Sequence, residues 1–250
     1  MSSPSGPQDD LWWWFQAEGI AAGFTWRGSS RCNDFSSLLL EGDPWQRLKQ
    51  RIAARAIVQG EQVHGAQTAA LLEGPISDWL VIPGVDALVC SVPQVAIAVR
   101  VADCVPVLLW DDGRAVVACV HAGWRGLVRG VIESALRQMA NLGVNLNGVH
   151  AVIGPAIGPC CYTVREDVAE QIRTVPGGKQ CLRRLTRQRA WSVDLPALAR
   201  SQLVSFGLPA DNITAATCCT YHNPQFFFSY RRDGDKAGRQ IGVVMLLADE

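Results

Sequence analysis

The sequence has no surplus of charge: 23 basic and 23 acidic side chains cancel across 250 residues. A nucleic-acid binder needs an excess of Lys and Arg to meet phosphates, so that class is excluded. Long apolar runs are also missing. The longest are interrupted by Gln16 and Glu18, or by Arg100 and Asp103, and none supplies the roughly 20 apolar residues that span a bilayer. Residues 1–10 lack a basic segment and carry Asp9 and Asp10, so they do not read as a signal peptide. No C-x-x-C pair occurs, which excludes a thioredoxin motif and a Cys-Cys zinc knuckle. Charged residues are only 18% of the chain against 48% hydrophobic, a composition that folds rather than staying disordered. No internal repeat or linker divides the chain. Residues 11–250 therefore read as a single domain behind a polar tail, residues 1–10.

Cysteine, by contrast, is plentiful. Nine is an odd count, and a secreted disulfide framework is usually shorter and even. The expectation is a cytoplasmic protein with reduced, mostly buried thiols. Cys160-Cys161 and Cys218-Cys219 are vicinal pairs; vicinal disulfides are strained, so thiols are expected there too. Three consecutive tryptophans, Trp12 to Trp14, predict an N-terminal element docked on the core, with a dimer or membrane-surface patch as the alternative, disfavoured by the lack of neighbouring basic residues.

The periodicity gives an α/β chain with interleaved elements. Asp43 caps and Pro44 opens a first helix, with Trp45, Leu48, Ile52 and Ala56 at helical spacing. Asp86–Cys90, Gln94–Val101, Val105–Trp110 and Ala115–His121 are apolar strands whose near-continuous hydrophobicity implies cover on both faces. Residues 126–140 read as one helix, and 149–154 as a buried strand leading into a Gly/Pro loop. A helix is expected over 165–173 and an irregular basic stretch over 177–189. Asp194 caps a helix to about residue 206, and strands follow at 213–219 and 240–247.

The chain has four histidines, His64, His121, His150 and His222. His121 ends a predicted strand, and Cys104 lies on the strand before it. A tight turn with an antiparallel return brings positions 104 and 121 side by side. One Cys with one or two His at strand ends forms an open zinc site, with the fourth position left for water or substrate. His222 reads as a loop residue.

The segments Gln62-Val63-His64-Gly65, Ala102-Asp103-Cys104-Val105-Pro106, His121-Ala122-Gly123-Trp124-Arg125-Gly126 and Ile153-Gly154-Pro155-Ala156-Ile157-Gly158-Pro159-Cys160-Cys161-Tyr162 occur in that order. They are followed by Phe228-Ser229-Tyr230-Arg231-Arg232-Asp233-Gly234 and Gly238-Arg239. Together they resemble the YfiH/laccase-domain family, also called polyphenol oxidase, purine nucleoside phosphorylase or peptidoglycan editing factor. The resemblance runs from about residue 23 to 247. It implies a layered α/β/β/α fold and a zinc ion held by His64, Cys104 and His121. The sequence departs from the family pattern at Trp26, at Gly28-Ser29, at Leu39 and at Cys90.

Around such a zinc ion, Cys104 as thiolate with two neutral imidazoles leaves a net positive charge that attracts anions and acidifies bound water. Arg27 and Arg125 are candidates to bind phosphate or a substrate anion through their planar donors, with a structural ion pair as the alternative. Gln62 either hydrogen-bonds a base or holds the His64 loop. Asp103 either orients a ligand or caps the turn.

The function implied by the resemblance is zinc-dependent phosphorolysis of adenosine, inosine or methylthioadenosine to free base and ribose 1-phosphate, with adenosine deaminase activity. The expected partners are a small nucleoside and phosphate. Two other readings stand beside it. Cys104 could act as a nucleophile with His121 as base, in a cysteine hydrolase or peptidoglycan-precursor amidase. A copper polyphenol oxidase is opposed by histidine arithmetic: a blue-copper centre takes two His and a Cys, leaving two imidazoles for any further coppers, so copper would be an adventitious occupant of the single site.

Overall fold

The computed structural model describes residues 11–17, 19–27, 43–75, 77–113 and 115–248, of which 11–17, 43 and 187 are described as backbone only. The polar tail, Gly28-Ser29, Cys32 and Leu39 lie outside the described residues. Among the described residues fifteen strands form three sheets. The first has the order β1 (Leu11–Ala17), β2 (Ile20–Thr25), β15 (Gln240–Leu246), β7 (Val95–Val101), β3 (Ala56–Gly60) and β5 (Trp79–Ile82). The second has β14 (Ile213–Ala215), β10 (Val149–Ile153), β8 (Val105–Asp111), β9 (Val117–Ala122), β6 (Ala87–Cys90) and β4 (Thr68–Leu71). A small third sheet joins β11 (Thr163–Val164), β13 (Ala190–Val193) and β12 (Leu182–Leu185). The helices are α1 (Asp43–Arg51), α2 (Trp124–Arg129), α3 (Val131–Asn141), α4 (Glu166–Arg173), α5 (Leu195–Ser205) and α6 (Tyr230–Asp233).

Successive side chains on a strand point to opposite faces, and here both faces are apolar. On β7, Val95, Ile97 and Val99 join one core cluster while Ala96 and Ala98 join another. On β8, Leu108 and Trp110 face the first sheet, whereas Val105, Val107 and Leu109 face the helices. The three clusters fill three spaces between layers. Trp45, Leu48 and Ile52, on and just after α1, pack on the outer face of the first sheet. The two six-stranded sheets pack face to face. Leu127, Ile132, Leu136, Leu198 and Leu203 from α2, α3 and α5 cover the outer face of the second sheet. The α/β/β/α layering expected from the resemblance is present.

Several elements differ from expectation for local reasons. The first helix ends at Arg51 and Ala53 takes a positive φ of 53°, so Ala56 begins a strand instead of a further turn. The helix expected over 126–140 is two helices, broken where Gly130 adopts φ +86°. The basic stretch 177–189 contains β12, which pairs with β13 in register Arg183↔Ser192. The cap expected at Asp194 is present: its side chain accepts from Ala197 N at the start of α5, while the side chain of Asp43 lies outside the described residues. The tryptophan run forms β1, paired antiparallel with β2. No helix among the described residues is long and apolar enough to cross a membrane.

Truncation should report on the layers. Ile97→Ala removes a fully buried side chain between the sheets and should cost about 2–5 kcal/mol in urea denaturation. Leu80→Ala at an exposed position should stay within about 0.5 kcal/mol.

Candidate metal centre and cavity

Strands of both large sheets end on one side of the sandwich. β3 leads out to Gln62 and His64, β7 ends near Arg100, β9 ends at Ala122, and β8 begins after Cys104. β8 and β9 pair antiparallel with Pro106 opposite His121, which brings Cys104 alongside, as the turn-and-return reading expects. The donor atoms of His64, Cys104 and His121 lie within 4.8 Å of one another. Cys104 Sγ is 3.8 Å from His64 Nε2, and the two imidazoles meet edge to face with centroids 4.8 Å apart.

The surroundings hold this cluster in position. Asp86, at the head of β6 and 1% exposed, accepts from His121 Nδ1 at 2.7 Å and from the backbone N–H groups of Val63, His64 and Gly65 at 3.1, 2.9 and 2.7 Å. A carboxylate on Nδ1 fixes the ring so that Nε2 is the donor left for a metal. His64 takes φ +58°, a left-handed conformation that a bulky residue enters only when its neighbours impose it, and here three consecutive amides converge on one carboxylate. Arg129 adds a hydrogen bond to the His64 carbonyl at 3.1 Å. Gly123 gives the cluster room: a Cβ there would sit 3.0 Å from His64 Cδ2 and 3.1 Å from Cys104 Sγ, so both side chains would have to shift.

Electrostatics follow from this geometry. Burial alone would raise the Cys104 thiol, but the His121 charge and hydrogen bonds from both imidazoles lower it to about 6. Burial opposes protonation of His121, yet the Cys104 thiolate and the Asp86 carboxylate raise it to about 9. Asp86 is pushed up by burial and pulled further down by His121 and the amides of Gly65 and Val63, so its pKa lies below the ordinary value. One soft thiolate and two imidazoles with a position open to a cavity match the donor set of an open zinc site, so the residues present fit the metal that the resemblance implies.

The cluster forms the floor of a cavity of about 610 Å³. Four arginines, Arg100, Arg125, Arg231 and Arg239, line it. Burial lowers the Arg100 pKa, and the facing charge of Arg239 lowers it further, the response of two cations held close together. Arg125 lies over Trp124 at 4.4 Å and Arg231 over Tyr162 at 4.9 Å, which fixes their planes. The acidic residue in this wall, Asp103, is already engaged: φ is +89°, and its carboxylate accepts from Thr220 Oγ1 and Arg231 N, both at 2.6 Å. It thus joins the Cys104 turn to the 220 and 231 loops and does not orient a metal ligand.

Other expected residues separate. Gln62 lines the cavity, but both ends of its amide are bonded to the Arg100 backbone at 2.8 Å, so it clasps β7. Arg125 lines the cavity. Arg27 does not; its guanidinium lies 5.2 Å from the Phe228 ring centroid, beside Trp26, whose ring meets Phe226. Cys90 and Cys119 are fully buried, and burial raises both thiols, Cys90 to about 11. Sequence reasoning missed Asp86, Arg100, Arg231 and Arg239. Asp86 carried a signal, a lone carboxylate heading a buried apolar strand. Arg231 and Arg239 stood within quoted motifs without a role.

The family described as multi-copper polyphenol oxidoreductase laccase matches residues 43–247. The chain belongs to this family. Among its relatives, a protein of Xylella fastidiosa named purine nucleoside phosphorylase is 40% identical over 69% of this chain and 65% of its own length. The Bacillus subtilis protein named purine nucleoside phosphorylase YlmD is 32% identical over 64% of this chain and 58% of its own. The chain thus spans less than two thirds of the length of these relatives. The solved structure of YlmD from Geobacillus stearothermophilus is 29% identical, covers 92% of this chain and 93% of its own, and superposes with a TM-score of 0.81. The Bacillus licheniformis YfiH structure gives the same TM-score at 28% identity.

The laccase-family site generates two expectations. Between pH 6 and 9 the metal-free cluster holds a thiolate beside an imidazolium, so zinc must displace the His121 proton. Calorimetry at pH 7–8 in buffers of differing ionisation enthalpy should show about one proton released per zinc, with affinity rising as pH rises toward 9. Asp86→Asn, which leaves all three donors in place, should weaken zinc binding about 10–100-fold in chelator competition.

Proposed function

We propose that the protein is a metal-dependent purine nucleoside phosphorylase with a second capacity to deaminate adenosine. The observation that carries this reading is the arrangement of the cavity: an open His64–Cys104–His121 tripod at its floor and four arginines on its walls. A small cavity rich in guanidinium suits phosphate, whose oxygens pair with planar donors. The names of the Xylella and Bacillus relatives, and of a relative named adenosine deaminase RL5 that is 35% identical over 63% of this chain, support the substrate class.

In phosphorolysis a phosphate oxygen bonds to the anomeric carbon of the ribose as the bond from that carbon to the purine nitrogen breaks. The electron pair leaves with the base, which takes up a proton. His64, Cys104 and His121 would hold the metal, which supplies Lewis acidity and a positive field when bound. Arg125 and Arg231 orient phosphate against repulsion between its charges, and Arg100 with Arg239 gives the cavity its positive potential. Asp86 keeps His121 and the His64 loop in register, and Trp124 and Tyr162 limit the orientations open to the arginines.

The lowered thiol of Cys104 also favours a second reading, a cysteine nucleophile with His121 as its acid–base partner. His64 as a third donor argues for the metal. A multicopper oxidase does not fit the histidines: His150 pairs with Asp112 and stacks on Trp110, and His222 sits in a separate Cys cluster.

The test is base release from adenosine in the zinc-loaded protein, with and without phosphate. Release should depend on phosphate, and Cys104→Ala should abolish it along with the zinc held by the cavity-floor cluster. Arg125→Ala should raise the KM for phosphate about 10–100-fold, the size of one or two charge-assisted hydrogen bonds, with a smaller effect on adenosine. Turnover that survives complete chelation but is stopped by thiol alkylation would instead establish the cysteine nucleophile.

A further inference from the structure

Four side chains outside the cavity floor have the makings of a metal site of another kind. Cys160 and Cys161 follow the Gly/Pro loop after β10, and Cys219 and His222 lie in the loop after β14. Their donor atoms all fall within 4.8 Å of one another. Cys160 Sγ is 3.5 Å from His222 Nδ1 and Cys161 Sγ is 3.2 Å from His222 Nε2. A tetrahedral zinc with metal–sulfur bonds of about 2.3 Å and metal–nitrogen bonds of about 2.0–2.1 Å places its ligands roughly 3.5–3.8 Å apart, so donors now within 4.8 Å would close by up to about 1 Å, with one of the two His222 nitrogens as the ligand.

We propose that Cys160, Cys161, Cys219 and His222 form a second, closed zinc site that fastens the β10 loop to the β14 loop. Three features beyond proximity point to a metal. Cys219-Thr220-Tyr221-His222 has the two-residue spacing of a metal knuckle with histidine in the second place. The backbone N–H of Gly158 is directed at Cys219 Sγ at 3.2 Å, so the sulfur is held facing the other three donors. Gly158 permits the approach, since a Cβ there would lie 3.3 Å from both Cys160 Sγ and Cys219 Cβ.

Three sulfurs and one imidazole fill a tetrahedron, which leaves no position for water or substrate. The soft donor set selects zinc over hard cations. Such a site stabilises structure and takes no direct part in turnover. It joins loops that also meet at an isolated bridge between Ala156 and Cys219, at the Thr220 N–H to Ala156 carbonyl bond of 3.0 Å and at the Gly158 N–H on Cys219 Sγ. These loops also reach the cavity. Thr220 bonds to Asp103 next to Cys104, and Ile157 and Tyr162 line the wall. Zinc here would therefore hold one side of the cavity at a distance from its floor.

Metal analysis of the full-length protein tests this without reference to turnover. Two zinc ions per chain are expected in wild type, one in Cys104→Ala and one in the double variant C161S/C219S. The zinc left in Cys104→Ala should be replaceable by cobalt, with the near-ultraviolet thiolate charge-transfer absorption of a three-sulfur site. This second measurement decides the matter if C161S/C219S fails to fold. After chelation and denaturation all nine cysteines should titrate as thiols. A single zinc in wild type that Cys104→Ala removes would overturn the proposal, as would a cobalt spectrum without thiolate absorption in Cys104→Ala. Seven titratable thiols, with peptide mapping that places the missing pair among Cys160, Cys161 and Cys219, would overturn it as well. None of these outcomes bears on whether the cavity carries out phosphorolysis.

Discussion

The carboxylate of Asp86 binds the two halves of the site together. One oxygen meets His121 Nδ1 and the His64 N–H; the other meets the amides of Val63 and Gly65. His121 belongs to a strand of the second sheet, and His64 to a loop that leaves the first. Two sheets that pack through an apolar cluster are thus keyed to each other at the end where the proposed metal would find donors from both. A buried carboxylate is costly unless several donors satisfy it, and four do so here. The strained backbone of His64 is stable for the same reason.

The layered core explains why the site can lie at the end of the sandwich. Strands with apolar residues on both faces need cover on both, and the helices and the paired sheets supply it. The chemistry-bearing side chains of the cluster then sit where strands stop. The cavity is positive although the chain as a whole is neutral, since its walls gather Arg100, Arg125, Arg231 and Arg239 while its carboxylate, Asp103, is spent on Thr220 and the Arg231 amide. Net charge excluded a polyanion partner and said nothing about a pocket for a small anion.

Much of this was legible in the residues. The apolar runs around 86–121 marked the central strands of the second sheet, and the Cys104 and His121 spacing anticipated their antiparallel return. Motifs in order singled out His64, which the structure places beside Cys104 and His121. What could not be read was whatever depends on tertiary neighbours. Asp86 is an ordinary strand-initial acid until His64 and His121 are folded around it. Gln62 was assigned to a base or to its own loop, yet its amide is taken by the Arg100 backbone, a partner on another strand. Arg27 has a donor set suited to phosphate, but its place beside Phe228 takes it out of the cavity wall. The Cys160, Cys161, Cys219 and His222 cluster was hidden because its two halves lie far apart in sequence and meet only when β10 and β14 pair in parallel.

The central claim is that His64, Cys104 and His121 hold a metal ion facing a phosphate-binding wall. Anomalous diffraction at the zinc edge, from crystals grown with zinc and phosphate, tests it most directly. The account predicts a peak bonded to Cys104 Sγ and to the Nε2 atoms of His64 and His121, with phosphate density between that peak and the arginines. Metal-free density at these three side chains in zinc-saturated crystals, or phosphate bound elsewhere with the arginine wall empty, would contradict it.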